Sequence, residues 1–321
     1  LIGLKNATYR LKILKINMNL IKASFYEPSR INGNKPEYFR QTDNSKGQYK
    51  NIKYGLNNLN AEWQIIGTWV KDISQIKDKK IIYLQQEPPE CRFPDSSLLD
   101  YVACVISPFR MDHPVKQYIS YTPIQWTYDL NIKFCPVNGH IIETANDHDI
   151  IKIKKLKFPK KERICSIVAS TKSFLPGHIK RIRFLEKIAD HFKNKIDFFG
   201  HGFNPVNNKK EAIDPYIFSI GIENSSYYNY WTEKIADIYI GYSCPIYYGC
   251  KNINEFFNKN TMINIDIENL DQSIYILENI LSNPLKYKPN FADIIVEREK
   301  VLQEYNFFKV LTEVINHNKY L

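Results

Sequence analysis

The sharpest hydrophobic pattern in the chain runs from residue 216 to 249, YIFSIGIENSSYYNYWTEKIADIYIGYSCPIYYG. Tyr216–Ile222 is an apolar run rich in β-formers and predicts a strand ending at Glu223-Asn224. A polar loop, 225–229, follows. Ile235, Ile238, Tyr239 and Tyr242 then recur at i, i+3, i+4 and i+7, the stripe of a helix that packs on a sheet. Residues 245–248 read as a second strand, closed by Gly249. Strand, helix and strand in this length predict a βαβ crossover whose strands are parallel neighbours.

The rest of the chain repeats the alternation less cleanly. Residues 20–26 predict a strand. Residues 28–54 are polar and rich in Asn, Gly and Lys, which predicts a long loop with a short helix near 50–57. Residues 63–66 are short and apolar; 80–84 predict a strand running into Gln85-Gln86-Glu87-Pro88-Pro89-Glu90; 101–107 predict another, ended by Pro108; 118–126 are partly extended. Further on, 164–170 predict a strand and 171–177 a loop. A helix follows with Ile179, Ile182, Leu185, Ala189 and Phe192 on one face. A strand over 195–199 ends at Gly200-His201-Gly202; 261–266 predict the last strand, 270–281 a helix, and 297–302 and 307–316 terminal helices. There is no internal repeat. The pattern is α/β, with a first domain over 18–150, a basic linker over 151–163, a second domain over 164–296 and terminal helices over 297–321.

Composition narrows this. A chain of 321 residues with 44% hydrophobic and 14% aromatic content can bury two cores, and is neither disordered nor fibrous. No apolar run reaches the roughly 18 residues a membrane span needs. Leu4, Leu11, Leu14 and Met18 could form a basic amphipathic helix suited to a membrane surface; the alternative is a dispensable extension ahead of the first strand. The six cysteines, Cys91, Cys104, Cys135, Cys165, Cys244 and Cys250, form no CxxC pair and no zinc spacing, so a reducing, cytoplasmic setting is expected.

The net charge of +10 is concentrated between residues 151 and 195, where Glu162, Glu186 and Asp190 are the only acids. Such a stretch could bind nucleic acid, an anionic membrane face or a nucleotide diphosphate, or simply be a solvated linker and helix face. Two cations are more telling. Lys234 falls in the first turn of its helix, where the dipole disfavours positive charge, and Arg181 lies early in the preceding one. Free N–H groups plus a cation at a helix N-terminus make a phosphate site. His201 is a weaker candidate neighbour of a nucleotide. Asp147-x-Asp149 has the spacing of a metal pair, but in a linker it reads more simply as a solvated turn, so no metal site is expected.

Three segments carry a family resemblance: Ile222-Glu223-Asn224-Ser225, Tyr230-Trp231-Thr232-Glu233-Lys234 and Pro245-Ile246-Tyr247-Tyr248-Gly249. Their order resembles the donor-binding motif of the fucosyltransferases of glycosyltransferase family 10, with Trp231 in place of the usual valine. Arg181-Ile182-Arg183-Phe184 resembles the family's R-x-x-F, and residues 305–311 resemble the end of its soluble bacterial members. The resemblance is dense over 164–266 and thin before Glu87. It implies a GT-B fold, two Rossmann-like domains facing a cleft, with the acceptor bound by the first and the nucleotide sugar by the second. It also implies inverting transfer of L-fucose from GDP-β-L-fucose to a sugar hydroxyl of a glycan, in α-1,3 linkage.

On that resemblance, Arg181 and Lys234 hold the diphosphate, Glu233 accepts from ribose hydroxyls, and Asn224 and Tyr230 orient donor sugar or ribose. Glu87 is the base, with Glu90 its rival, and Glu223 is a second base or a structural acceptor. No cofactor is required beyond the GDP-fucose donor, although Mn²⁺ or Mg²⁺ could stimulate. The expected partners are GDP-fucose and a glycan, with no nucleic acid, at a site in the cytoplasm or peripheral to a membrane. The alternatives are another GDP-sugar, or a single-stranded nucleic-acid binder. The binder would need tyrosines interleaved with the basic run; they cluster instead in 216–248.

Overall fold

The computed structural model describes residues 20–28, 36–134, 141–145, 148–171, 173 and 175–319. The amphipathic spacing from Leu4 to Met18, Cys135 and Asp147 lie outside the described residues. Two sheets organise the chain. The first contains β1 (Ile21–Phe25), β2 (Gln48–Tyr49), β3 (Ile52–Leu56), β4 (Trp63–Gly67), β5 (Lys80–Leu84), β6 (Cys104–Ser107) and β7 (Lys116–Ile119). Their spatial order is β2-β3-β1-β4-β5-β6-β7, parallel throughout except for the β2–β3 pair.

Its central strands, β4 to β6, are buried on both faces, as a parallel sheet requires. Ile65, Ile82 and Leu84 turn to one side, and Ile66, Ile81 and Tyr83 to the other, where Ile73, Ile76 and Leu99 of the short α1 (Ser96–Leu99) cover them. Residues 48–56 correct the loop and short helix expected there. Ile52 and Tyr54 are buried and Lys53 is exposed, an alternation too short to stand out among Asn and Lys.

A two-stranded ribbon, β8 (Leu130–Phe134) and β9 (Ile141–Ala145), and the short α2 (Ile150–Lys154) lead to the second sheet. That sheet is wholly parallel, with β10 (Arg163–Val168), β11 (Asp197–Phe199), β12 (Tyr216–Ile222), β13 (Cys244–Tyr248) and β14 (Ile263–Asn264) in the order β11-β10-β12-β13-β14. Its helices are α3 (Pro176–Phe192), α4 (Lys209–Ile213), α5 (Glu233–Ile240), α6 (Leu270–Ser282), α7 (Pro284–Tyr287) and α8 (Phe291–Glu299), which continues as a π turn, Lys300–Glu304. The register of β12 on β13 pairs Phe218 with Cys244, so the predicted crossover is present.

Two further expectations are corrected. The buried face of α3 is His178, Arg181, Phe184, Leu185, Ile188 and Phe192, not the stripe through Ile179, which is exposed; this rotation carries Arg181 inward. Within the segment read as a solvated linker, Ile153 is fully buried. Lys161 there donates to Gly241 O at 2.7 Å and Ser243 Oγ at 2.9 Å, and burial pulls its ammonium pKa down to about 7. The last helix is α9 (Phe307–His317), which follows the second sheet in sequence. Phe307, Phe308, Leu311, Val314 and Ile315 pack on the first sheet and close its open face.

An aromatic cluster joins the two units. Trp231 stacks on Tyr121 with ring centroids 4.6 Å apart and meets Tyr305 edge-on. The bulky residue in the 230–234 segment therefore fills a core between domains. No described helix is long and apolar enough to cross a membrane.

Candidate active site

The order β11-β10-β12-β13-β14 reverses its winding between β10 and β12, and ligands of doubly wound sheets bind where strands diverge at such a point, beyond their carboxyl ends. A cleft of about 560 Å³ lies there. Val168 to Ser170 follow β10 into it, Gly200 to Phe203 follow β11, and Arg181, Lys209, Glu233 and Lys234 reach it from α3, α4 and α5. Close approach of the two βα turns depends on Gly177, where a Cβ would lie 1.7 Å from Asn224 O.

Arg181 is 5% exposed. Its Nη1 donates to Asn224 Oδ1 at 2.5 Å and its Nη2 approaches Ser170 O at 3.4 Å, while its Nε has no hydrogen-bond partner among the described residues. Burial lowers its pKa, opposed by Glu223 and Glu233. A buried guanidinium with an unused donor at the mouth of a cleft is arranged to receive an anion.

Lys234 follows the N-cap Thr232 and Glu233, and its Nζ lies 3.3 Å from both Glu223 Oε2 and Glu233 Oε1. Burial acts to lower its pKa, but Glu233 and Glu223 outweigh it and raise the value. Burial would raise the Glu233 carboxyl; Lys234 and Lys209 instead hold it down to about 2. The helix-start cation thus has carboxylate partners already, which accounts for its position against the dipole.

The remaining motif residues do not line the cleft; they build it. Glu223 is fully buried and accepts from Thr232 N at 2.8 Å and Thr232 Oγ1 at 2.7 Å. It therefore fixes the cap of α5, and Gly249 leaves room for its side chain, since a Cβ there would lie 2.4 Å from Glu223 Cγ. Asn224 holds Arg181. Tyr230 is 1% exposed and stacks on Phe109 of the first unit, centroids 5.7 Å apart.

Sequence reading missed Lys209 and Asp237. Asp237, buried on α5, accepts from Thr127 N and Tyr128 N, both at 2.7 Å, and from Lys209 Nζ at 3.0 Å. One carboxylate thereby pins the two units together and aims a third cation at the cleft. The available signal was Asn208, the N-cap of α4, which places Lys209 in a helix first turn as Thr232 places Lys234.

In the first unit, Glu87 stands just beyond β5. Burial pushes its carboxyl above the ordinary glutamate range; Lys234 pulls the other way, Glu233 adds to the rise, and the neighbouring Cys91 and Trp69 temper it. Its loop is fixed from within: buried Gln85 donates to Glu87 O at 2.6 Å and Arg92 O at 2.7 Å and accepts from Tyr83 OH at 3.0 Å. Glu90 has a different place. It is exposed, and accepts from Ser225 Oγ and from Tyr227 OH at 3.0 Å, tying this loop to the 223–230 segment. Asp149 caps α2 by accepting from Lys152 N at 3.1 Å. Among the described residues there is no cluster of three or more His, Cys, Asp and Glu that could hold a metal.

Two α/β units built on parallel sheets, with a cleft at the switch point of the second, make up the GT-B glycosyltransferase fold. Residues 158–293, which carry the switch-point cleft, match the family model described as glycosyltransferase family 10 (fucosyltransferase), C-terminal. Over 97 residues the chain is 39% identical to an alpha-(1,3)-fucosyltransferase of Helicobacter pylori, a stretch that is 30% of this chain and 19% of that protein. The match thus spans about a fifth of that relative's length. Among solved structures, an alpha1,3-fucosyltransferase superposes with a TM-score of 0.56 at 18% identity, over 91% of this chain and 92% of that one. An Anabaena protein in complex with UDP-glucose superposes with a TM-score of 0.53 at 8% identity, over 94% of this chain and 100% of that one. At these identities the likeness is one of fold.

Proposed function

We propose that this chain transfers L-fucose from GDP-β-L-fucose to a hydroxyl of a glycan acceptor, with inversion, forming an α-1,3 linkage. The observation that carries the reading is the convergence of Arg181 and Lys234, from two helix starts, on one switch-point cleft, with Glu87 of the other unit within electrostatic reach of Lys234. The match to the fucosyltransferase family model over the same cleft supports the choice of donor.

The chemistry makes two demands. The acceptor hydroxyl must lose a proton as it attacks, and Glu87, half-buried with a raised pKa, is suited to take it. The departing diphosphate gains charge, which the Arg181 fork and the Lys234 ammonium stabilise, with Lys209 beside them. Glu233, ionised and lining the cleft, accepts from the ribose hydroxyls; Asn224 acts through Arg181, and Glu223 and Tyr230 hold the frame. These cations supply the charge a metal would otherwise provide. The first unit, over 18–150, holds the acceptor. The exposed lysines of 152–160 favour a cytoplasmic enzyme working at an anionic surface.

Because proteins of this fold are also known with UDP-glucose, the base is the first thing to test. A ligand that binds only the folded state at 100 times its Kd stabilises it by about 2.7 kcal/mol. GDP and GDP-fucose should therefore raise the melting temperature clearly, and UDP should barely move it. Equal shifts with GDP and UDP would remove the guanine assignment.

A further inference from the structure

Of the four tryptophans in the chain, Trp63, Trp126 and Trp231 are 0%, 3% and 3% exposed, whereas Trp69 is 60% exposed. Trp69 lies just past the carboxyl end of β4, and Glu87 just past that of the neighbouring parallel strand β5. The two loops are bound to each other: Thr68 Oγ1 donates to Leu84 O at 3.0 Å and accepts from Gln86 N at 2.8 Å. The Trp69 side chain lies beside the Glu87 carboxylate. The Arg92 guanidinium lies 5.2 Å from the centre of the indole ring and supports it from one side. A large apolar ring is thus held rigidly in solvent beside the Glu87 carboxylate. Among the described residues, nothing covers more than half of it.

We infer that Trp69 is the platform for the acceptor: a pyranose ring stacks its apolar C–H face on the exposed indole, which brings one of its hydroxyls to Glu87. The inference rests on the proposed transfer reaction and adds the acceptor subsite to it. Pyranoses offer such a face, above all those with an axial hydroxyl that clears one side of the ring, and burying it against an aromatic removes apolar area from water. The bonds of Thr68 to Leu84 and Gln86 keep platform and base side by side, so the sugar that stacks is also the one deprotonated.

Two measurements test this, and neither depends on the fold being disturbed, since the side chain is exposed. The first needs no turnover: lactose and maltose are titrated while tryptophan emission is followed, the solvent-sensitive part of which belongs to Trp69. A saturable change with one of these pyranosides, absent in Trp69→Phe, is expected; no change in the wild type up to tens of millimolar would overturn the inference. The second is kinetic. Trp69→Ala should raise the acceptor KM by at least about ten-fold, the effect of losing a stacking contact of 1.4 kcal/mol or more. Trp69→Phe should stay within a few-fold of wild type, and GDP-fucose hydrolysis without acceptor should be unchanged in both. A Trp69→Ala enzyme with the wild-type acceptor KM would overturn the inference. Failure of the wild type to hydrolyse GDP-fucose would count against the transfer reaction instead, leaving the emission titration to decide on the platform.

Discussion

Glu87→Gln should reduce fucosyl transfer by about 10²–10⁴, the usual worth of general-base catalysis, while leaving GDP binding nearly intact. The separation follows from the geometry. Glu87 follows β5 of the first sheet, whereas Arg181, Lys209 and Lys234 line the cleft of the second. Glutamine keeps the size of the side chain, so the loop tied down by Gln85 should not move. Slow hydrolysis of the donor should persist, because water can attack without a base. The pH profile offers a second check. Burial raises the Glu87 pKa, so the acid limb of kcat/KM in the wild type should fall above the ordinary glutamate range, and it should vanish in the variant. Normal turnover in Glu87→Gln would exclude this residue as the base.

Lys234→Ala should have the next largest effect, on two quantities at once. Loss of a charge-assisted hydrogen bond to the diphosphate typically costs about 1.5–3 kcal/mol, a factor of ten or more in GDP affinity. The same substitution leaves Glu223 and Glu233 without the ammonium 3.3 Å from each, and breaking a buried pair typically costs about 3–5 kcal/mol of stability. The two effects separate by pH. In the wild type the Glu233 pKa is lowered to about 2, so its contribution to stability is present above the ordinary glutamate value and is lost as pH falls toward 2. Without Lys234 the buried carboxyls should titrate above their unfolded values, so the variant should lose stability as pH rises through that range. Melting curves at pH 5 and pH 8 should therefore show a larger deficit at pH 8. Lys234→Arg, which retains the charge, should recover much of the stability. If Lys234→Ala binds GDP as tightly as the wild type, the phosphate site is elsewhere.

The second sheet was readable because its signals are local. Tyr216–Ile222, Thr232 as a cap, and the apolar stripe of α5 each lie within one element, and the helix start that disfavours a cation drew attention to Lys234. What could not be read depends on contacts distant in sequence. The stripe through Ile179 fits a helix well enough, but neighbouring elements decide which face is buried, and they chose the face holding Arg181. α9 follows the second sheet in sequence, yet its Phe308 packs edge-on to Tyr54 of the first, 4.8 Å away. Lys209 and Asp237 sit in polar or mixed stretches, and only the return of Thr127 to α5 gives them a shared role. Glu87 was preferred over its rival Glu90 on sequence; the fold sets one within reach of Lys234 and the other onto Ser225 and Tyr227.

The central claim is that a GDP-sugar is broken down in the cleft where β10 and β12 diverge. Its most direct test is release of nucleotide from a panel of GDP-fucose, GDP-mannose and UDP-glucose, without acceptor and in EDTA, since hydrolysis needs only the donor site. The account predicts turnover of GDP-fucose well above the other two, lost in Arg181→Ala and retained at a low level in Glu87→Gln. Turnover of UDP-glucose in preference to GDP-fucose, or activity that appears only when Mn²⁺ is restored, would contradict it.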